Sequence, residues 1–369
     1  MKQRDALRAQ AESSGQAAST SSPSCPPDRH TPAPPSAATA AADPDLAAAL
    51  ANVTAATSPH ILIAVANGAY AAGPDGGLVG AWARSAAATH TPTLLFALDE
   101  DAAGVATAAG VPAFRVDLPI PLSQQQGQQG KGGGGGAAPP SNHAVSALKY
   151  GLARRVLALG YTLLMSDVDV LFLRNPFEEG GAGGGGAGLL PLGADVAASS
   201  DGWDAPSAYG WDDVHDEPGL GWGRHAHSTR ILHLNSGLWA ARPSGAAVAA
   251  VSLIEARVSA EPAWDQAVFN EVLLTPSHGA YASPGASLRV LEVDRFVNSR
   301  VLWARLGPAA VGAGRVPSDP ATRPTAVHVN YHPEKPARLA AVAAFYLGGD
   351  VRALEGLPVG STTTTSGGG

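Results

Sequence analysis

Residues 163–177 read LLMSDVDVLFLRNPF, with two aspartates, Asp167 and Asp169, set between apolar runs. Such flanks have the short, continuous apolar character of a strand buried on both faces, as in a parallel sheet covered by helices. The carboxylates then emerge where the strand ends, and ligands of open α/β sheets bind outside the carboxyl ends of the strands. Alternate residues of extended backbone point the same way, so the Asp-x-Asp spacing aims both carboxylates at one point. Hard oxygen ligands suit Mn²⁺ or Mg²⁺ bridging to substrate phosphates. The competing reading is a turn with aspartates as turn residues. Apolar flanks and the following Arg174-Asn175-Pro176-Phe177 turn favour the metal–diphosphate site.

The remaining chain alternates strand-like and helix-like segments. Strands are predicted at His60–Ala66, Thr93–Leu98, Ala113–Val116, Ile231–Leu234, Arg289–Val293 and Ala326–Val329. From His143 to Leu159, Val145, Leu148, Leu152, Val156 and Leu159 recur at intervals of three and four, one face of a helix closed by Gly160. Further helices are predicted at Ala246–Val258, Trp264–Leu274 and Ala337–Leu347. This alternation predicts an α/β fold with a mostly parallel central sheet and one catalytic domain over residues 58–350.

Much of the 45% hydrophobic content is alanine, and the 44 glycines and 30 prolines point to low-complexity segments. Residues 1–57 and 351–369 read as disordered, because they offer little apolar surface to offset ordering entropy. The tracts 123–141 and 180–188 read as flexible inserts. A net charge of −7 without a Lys/Arg run argues against a nucleic-acid partner. The single cysteine, Cys25, forms no internal disulfide. No apolar run reaches the roughly 18 residues of a membrane span. The opening MKQRDALRAQAESS lacks a signal peptide's apolar centre. Asn52-Val53-Thr54 is a glycosylation sequon.

Four further segments carry chemistry. In HLNSGLWAARPS (233–244), Asn235-Ser236-Gly237 interrupts an apolar run; these groups are either used by a ligand or form a bulge. In EPAWDQAVFNEVLL, Asp265 and Gln266 open a helix whose apolar face includes Trp264, Ala267, Val268 and Val272. They either serve the helix dipole or grip a polyhydroxylated ligand. AVHVNYHPEK (326–335) follows a strand with His328, His332 and Lys335, residue types that bind divalent metals and phosphate. Alternation places His328 and Asn330 on one face and Val327 and Val329 on the other. Residues 201–227 gather Trp203, Tyr209, Trp211 and Trp222 among aspartates and glycines, a mixture suited to carbohydrate or to a loop pinned by its own aromatics.

In this order, the blocks LGYTLLMSDVDVLFLRNPF, DGWDAPSAYGWDDVHDEPGLGWGRHAH, HLNSGLWAARPS, WDQAVFNEVLL with PSHGAY, VDRFVNSRVLW and HVNYHPEK resemble the plant and algal nucleotide-diphospho-sugar transferases that include the extensin arabinosyltransferases. The resemblance runs from about Ala144 to Leu347. It implies a GT-A-type, Rossmann-like fold and retaining transfer from a UDP-sugar. It implies Mn²⁺ (or Mg²⁺) on Asp167, Asp169 and His328, and a nucleotide-sugar held also by Lys335, Asn67 and Lys149. Asp265, Gln266 and Asn235 would be catalytic, and Trp203, Tyr209, Trp211 and Trp222 would bind the acceptor. The His328–Lys335 stretch is one residue longer than the family pattern and lacks its glycine, which leaves His332 as the rival metal ligand. The implied acceptor is a hydroxyproline-linked arabinoside on a cell-wall glycoprotein, and the implied compartment is the Golgi lumen. Transfer of galactose or xylose, or carbohydrate binding without catalysis on the same fold, are the alternatives.

Overall fold

The computed structural model describes residues 30–32, 37–54, 58–116, 142–178, 189–202, 204, 207–208, 215–217, 222–225, 234–261, 263–306, 323–330, 332 and 334–357. In chain order the helices are α1 (Ala37–Ala42), α2 (Pro44–Val53), α3 (Gly68–Ala71), α4 (Gly77–Ala88), α5 (Glu100–Ala108), α6 (Asn142–Ala158), α7 (Gly245–Ala260), α8 (Asp265–Leu274), the single turn α9 (Ser299–Val301) and α10 (Lys335–Tyr346). The strands are β1 (His60–Ala66), β2 (Thr93–Ala97), β3 (Ala113–Arg115), β4 (Thr162–Ser166), β5 (Val170–Phe172), β6 (Val196–Ser200), β7 (His215–Glu217), β8 (Trp222–His225), β9 (Leu234–Ala241), β10 (Leu288–Val290), β11 (Phe296–Asn298) and β12 (Ala326–His328).

A seven-stranded sheet runs in the order β10-β6-β9-β4-β1-β2-β3. Its neighbours are parallel except that β9 runs antiparallel to both β4 and β6. The α/β, mostly parallel architecture is therefore the one the alternation predicts. Period-two alternation divides the core between the faces. Ile61, Ile63, Phe96, Leu163 and Met165 pack with Leu152 and Val156 of α6 and Val251 and Ile254 of α7. Leu62, Leu95 and Leu164 pack on the other side with Val79, Trp82 and Ala86 of α4. The α6 face matches the expected positions, and Gly160 closes it at φ 85°, a left-handed conformation that favours glycine.

Asp167 and Asp169 do not lie within one strand. They form the turn between β4, in the large sheet, and β5, in a second, three-stranded sheet ordered β11-β12-β5. That sheet covers a separate apolar cluster in which Val327 and Val329 meet Leu339, Val342 and Phe345 of α10.

The N-terminal expectation is corrected in part. Within 1–57, α2 buries Leu46 and Leu50 completely in the main core. Asp43 just before it pairs with Arg155 of α6 at 2.7 Å. Two leucines four residues apart suffice to dock a short helix, so low average hydrophobicity misread this stretch. Asn52 of the sequon lies in this helix. The inserts 123–141 and 180–188 and most of the C-terminal tail lie outside the described residues. Among the described residues no helix is long and apolar enough to cross a membrane.

Candidate active site

The seam between the two sheets opens into a cleft of ≈570 Å³. The Asp167–Asp169 turn forms its floor and is tied to both sides. The Asp167 amide donates to the Gly237 carbonyl of β9 at 2.7 Å, and the Val329 amide donates to the Asp169 carbonyl at 2.9 Å. Behind it, Ser166 Oγ donates to the Asp167 carbonyl and accepts from the buried Trp82 indole.

Asp167, Asp169 and His328 each present a ligand atom, and these atoms lie within 4.8 Å of one another. His328 ends β12 and faces the cleft while Val327 and Val329 face the core, as alternation requires. Its Nε2 is 3.1 Å from Asp169 Oδ1. That oxygen is buried and accepts no hydrogen bond among the described residues. Two carboxylates, an imidazole and a buried oxygen lacking a donor fit a divalent cation. His332 is elsewhere, buried edge-on against Trp303, about 6.0 Å between ring centres. Between the two histidines, the geometry gathers His328 with the aspartates.

Lys335, at the first position of α10, donates to Asp169 Oδ2 at 2.5 Å. Burial works against charge on Asp169, but His328 and Lys335 outweigh it and hold the carboxyl well below its usual range. Burial likewise opposes the charge on Lys335 and His328, and Asp169 reverses this, raising both. Lys149, buried on α6, lies 3.4 Å from both Asp167 Oδ1 and Asp265 Oδ2 and donates to the Ser236 carbonyl at 3.0 Å. One cation thus joins the floor of the cleft to the start of α8.

Asn235, Ser236 and Gly237 lie within β9, but its pairing with β6 shifts register between Trp239 and Leu234, so a bulge is present, with Asn235 Oδ1 accepting the Gly237 amide. A Cβ at Gly237 would lie 2.5 Å from Asp167 Oδ2 and 2.6 Å from His328 Cε1. Only glycine lets the two ligands approach this strand so closely. Asp265 and Gln266 reach the cleft as expected. Trp264 does not join the apolar face of α8. It precedes the helix in extended conformation (ψ 128°), outside the helical period, and stands 60% exposed on the cleft wall.

Asn67 is not among the residues lining the cleft; its Oδ1 caps α3 by accepting the Ala69 amide, and Tyr70 of that helix lines the cleft instead. Trp203, Tyr209 and Trp211 lie outside the described residues, and Trp222 opens β8. Asp201 and Tyr70 also line the cleft and were not singled out from the sequence. Each is one residue of a common type with no repeating neighbour. The position of Asp201 directly after a strand was the available signal, and β6 itself was not recognised.

Residues 88–340 match the nucleotide-diphospho-sugar transferase family, and the chain belongs to that family. It is similar to arabinosyltransferase RRA2 of Arabidopsis thaliana, 42% identical over 220 residues, 60% of this chain and 47% of that one. It is also similar to arabinosyltransferase RRA1 of the same plant, 37% identical over 217 residues, 59% of this chain and 50% of the relative. The chain spans about half the length of the curated relatives it matches. Among solved structures, the apo form of the WbbM bifunctional glycosyltransferase aligns with 74% of this chain and 46% of its own, at TM-score 0.39 and 12% identity.

Proposed function

We propose that this chain is a metal-dependent retaining arabinosyltransferase. It moves arabinose from a UDP-sugar to hydroxyproline-linked arabinosides of cell-wall glycoproteins, in the Golgi lumen. The observation that carries the reading is the convergence of Asp167, Asp169 and His328 with Lys335 in one cleft. A divalent cation, when bound, supplies Lewis-acid neutralisation of the departing diphosphate. Lys335 brings a second positive charge to the same place. Lys149 keeps Asp167 and Asp265 in fixed relation, so that diphosphate and sugar ends of the donor share one frame.

Retention is assigned to attack on the leaving-group face. The acceptor oxygen bonds to the anomeric carbon as the bond to the diphosphate oxygen breaks, and the hydroxyl proton passes to the departing phosphate. The names of the similar plant enzymes support arabinose. Profiling Mn²⁺-dependent hydrolysis of UDP-arabinofuranose, UDP-galactose and UDP-xylose, followed by NMR of the product anomer, tests the reading. Preference for another sugar would change the donor, and inversion would sink the mechanism. A non-catalytic carbohydrate-binding role requires that UDP binding be absent or indifferent to metal.

A further inference from the structure

One carboxylate of the cleft stands apart from the candidate metal set. Asp201 follows β6 directly and is partly exposed on the cleft wall. Its Oδ1 accepts from Nδ2 of Asn235 at 2.7 Å and from Nδ2 of Asn330 at 3.3 Å, and its Oδ2 accepts from Nε2 of Gln266 at 2.8 Å. These amides come from β9, from the segment after β12 and from α8. Each is turned towards Asp201 by its own oxygen, which accepts a backbone N–H. Asn235 takes that of Gly237 at 2.8 Å, Gln266 that of Ser236 at 3.3 Å and Asn330 that of Ser299 at 3.2 Å. The backbone on either side is held as well: Asn298 Nδ2 donates to the Ser200 carbonyl at 2.9 Å and the Gly202 carbonyl at 2.7 Å.

A carboxylate only accepts hydrogen bonds, so its natural complement in a ligand is a hydroxyl. Fixing one from three separate segments on the wall of the cleft is the arrangement of a preorganised binding group. It is also linked to the candidate metal ligands through β9: its partner Asn235 accepts the Gly237 amide, and Gly237 lies against Asp167 and His328. The diphosphate of a nucleotide-sugar is flanked by the ribose and the sugar, and the reading above puts the sugar at the Asp265–Gln266 end, where Gln266 holds Asp201.

We propose that Asp201 accepts hydrogen bonds from hydroxyls of the transferred sugar, and that Asn235, Gln266 and Asn330 are positioning residues for it. This rests on the nucleotide-sugar reading above. Calorimetry with Mn²⁺ compares UDP with whichever of the three UDP-sugars the wild type hydrolyses fastest. Asp201→Asn is expected to keep UDP affinity within about twofold and to weaken UDP-sugar binding about ten- to hundredfold, the range of a charged hydrogen bond. A variant that binds the UDP-sugar as tightly as wild type overturns the proposal alone, and a lowered melting temperature would then leave Asp201 as a tie between loops. A wild type that binds neither ligand overturns both readings. Should Asp201→Asn fail to fold, Asn330→Ala decides. It keeps the carboxylate but removes one donor, and should weaken UDP-sugar binding without changing UDP binding; an unchanged ratio overturns the proposal.

Discussion

On the proposed function, Gly237→Ala should abolish transfer while leaving the protein folded. The added methyl would lie 2.5 Å from Asp167 Oδ2, 2.6 Å from His328 Cε1 and 3.0 Å from Asn235 Oδ1, where ordinary contact begins at 3.4 Å. Asp167 or the strand must therefore give by about 0.9 Å, and His328 by nearly as much. Overpacking of this kind costs about 1–3 kcal/mol, against a total stability of about 5–15 kcal/mol. At about 2–4 °C per kcal/mol, the melting temperature falls by roughly 2–12 °C. A displacement approaching 1 Å at a reacting centre costs about 10²-fold in rate. Displacement thus dominates: the protein survives and the chemistry does not. The assay combines donor hydrolysis at saturating Mn²⁺, Mn²⁺ titration in the presence of UDP, and a melting curve. Wild-type Mn²⁺ affinity together with wild-type turnover in Gly237→Ala would refute the reasoning, because the ligands would then tolerate a side chain in their midst.

His328→Ala should weaken Mn²⁺ and UDP binding together, whereas His332→Ala should lower melting temperature with metal affinity intact; the reverse pattern in paired titrations and melts would exchange their roles. Leu50→Ala should cost about 2–5 kcal/mol, since the side chain is fully buried, and chemical denaturation showing under 1 kcal/mol would mean that α2 is not docked in solution. Asp195 is fully buried and receives Ser244, Ser287, Arg242 and His30; burial disfavours its charge, but the Ser244 and Ser287 hydrogen bonds prevail and depress its carboxyl. Its stabilising contribution is present above the ordinary carboxylate value of about 4 and is lost as pH falls through the lower folded value. Asp195→Asn should therefore flatten the acid limb of the stability–pH curve, read by denaturant melts from pH 7 down to pH 3, and an unchanged slope would count against it.

Strands that announce themselves are those with large aliphatic runs, and HILIAVA of β1 and TLLFA of β2 are legible almost to the residue. β6, VAASS, is equally buried but carries small side chains, so no hydropathy pattern marks it, and the carboxylate at its end went unread with it. The polar Asn235-Ser236-Gly237 step looked like an interruption because nothing local shows that its amides and carbonyls have partners on α6, α8 and the Asp167 turn. Asp-x-Asp was legible as a candidate cation site once its apolar flanks and the turn after them were read together with the spacing. That its two flanks belong to different sheets was not, since the β12 pairing that captures β5 arrives about 150 residues later. Trp264 misled for a simpler reason: hydrophobicity assigns an indole to a core, while the residue stands just before the helix begins.

The placement of the aspartate turn has a thermodynamic side. At the cleft the large and small sheets are joined through the aspartate turn, whose Asp167 amide bonds to β9 and whose Asp169 carbonyl accepts the Val329 amide. A ligand spanning Asp167, Asp169 and His328 grips both bodies at once and binds only when they are in register. By mass action it should raise the free energy of any opening that separates them by RT ln(1 + [L]/Kd), about 2.7 kcal/mol at a hundredfold excess over Kd. Hydrogen exchange at Val329 and along β5 and β12 should then slow by about a hundredfold on adding Mn²⁺ and UDP, while exchange in β1 and β2, deep in the larger sheet, stays limited by global unfolding. The nucleotide would act as a fastener between two cooperative units, and protection confined to contact residues, with β5 unchanged, would show that the units are already locked without it.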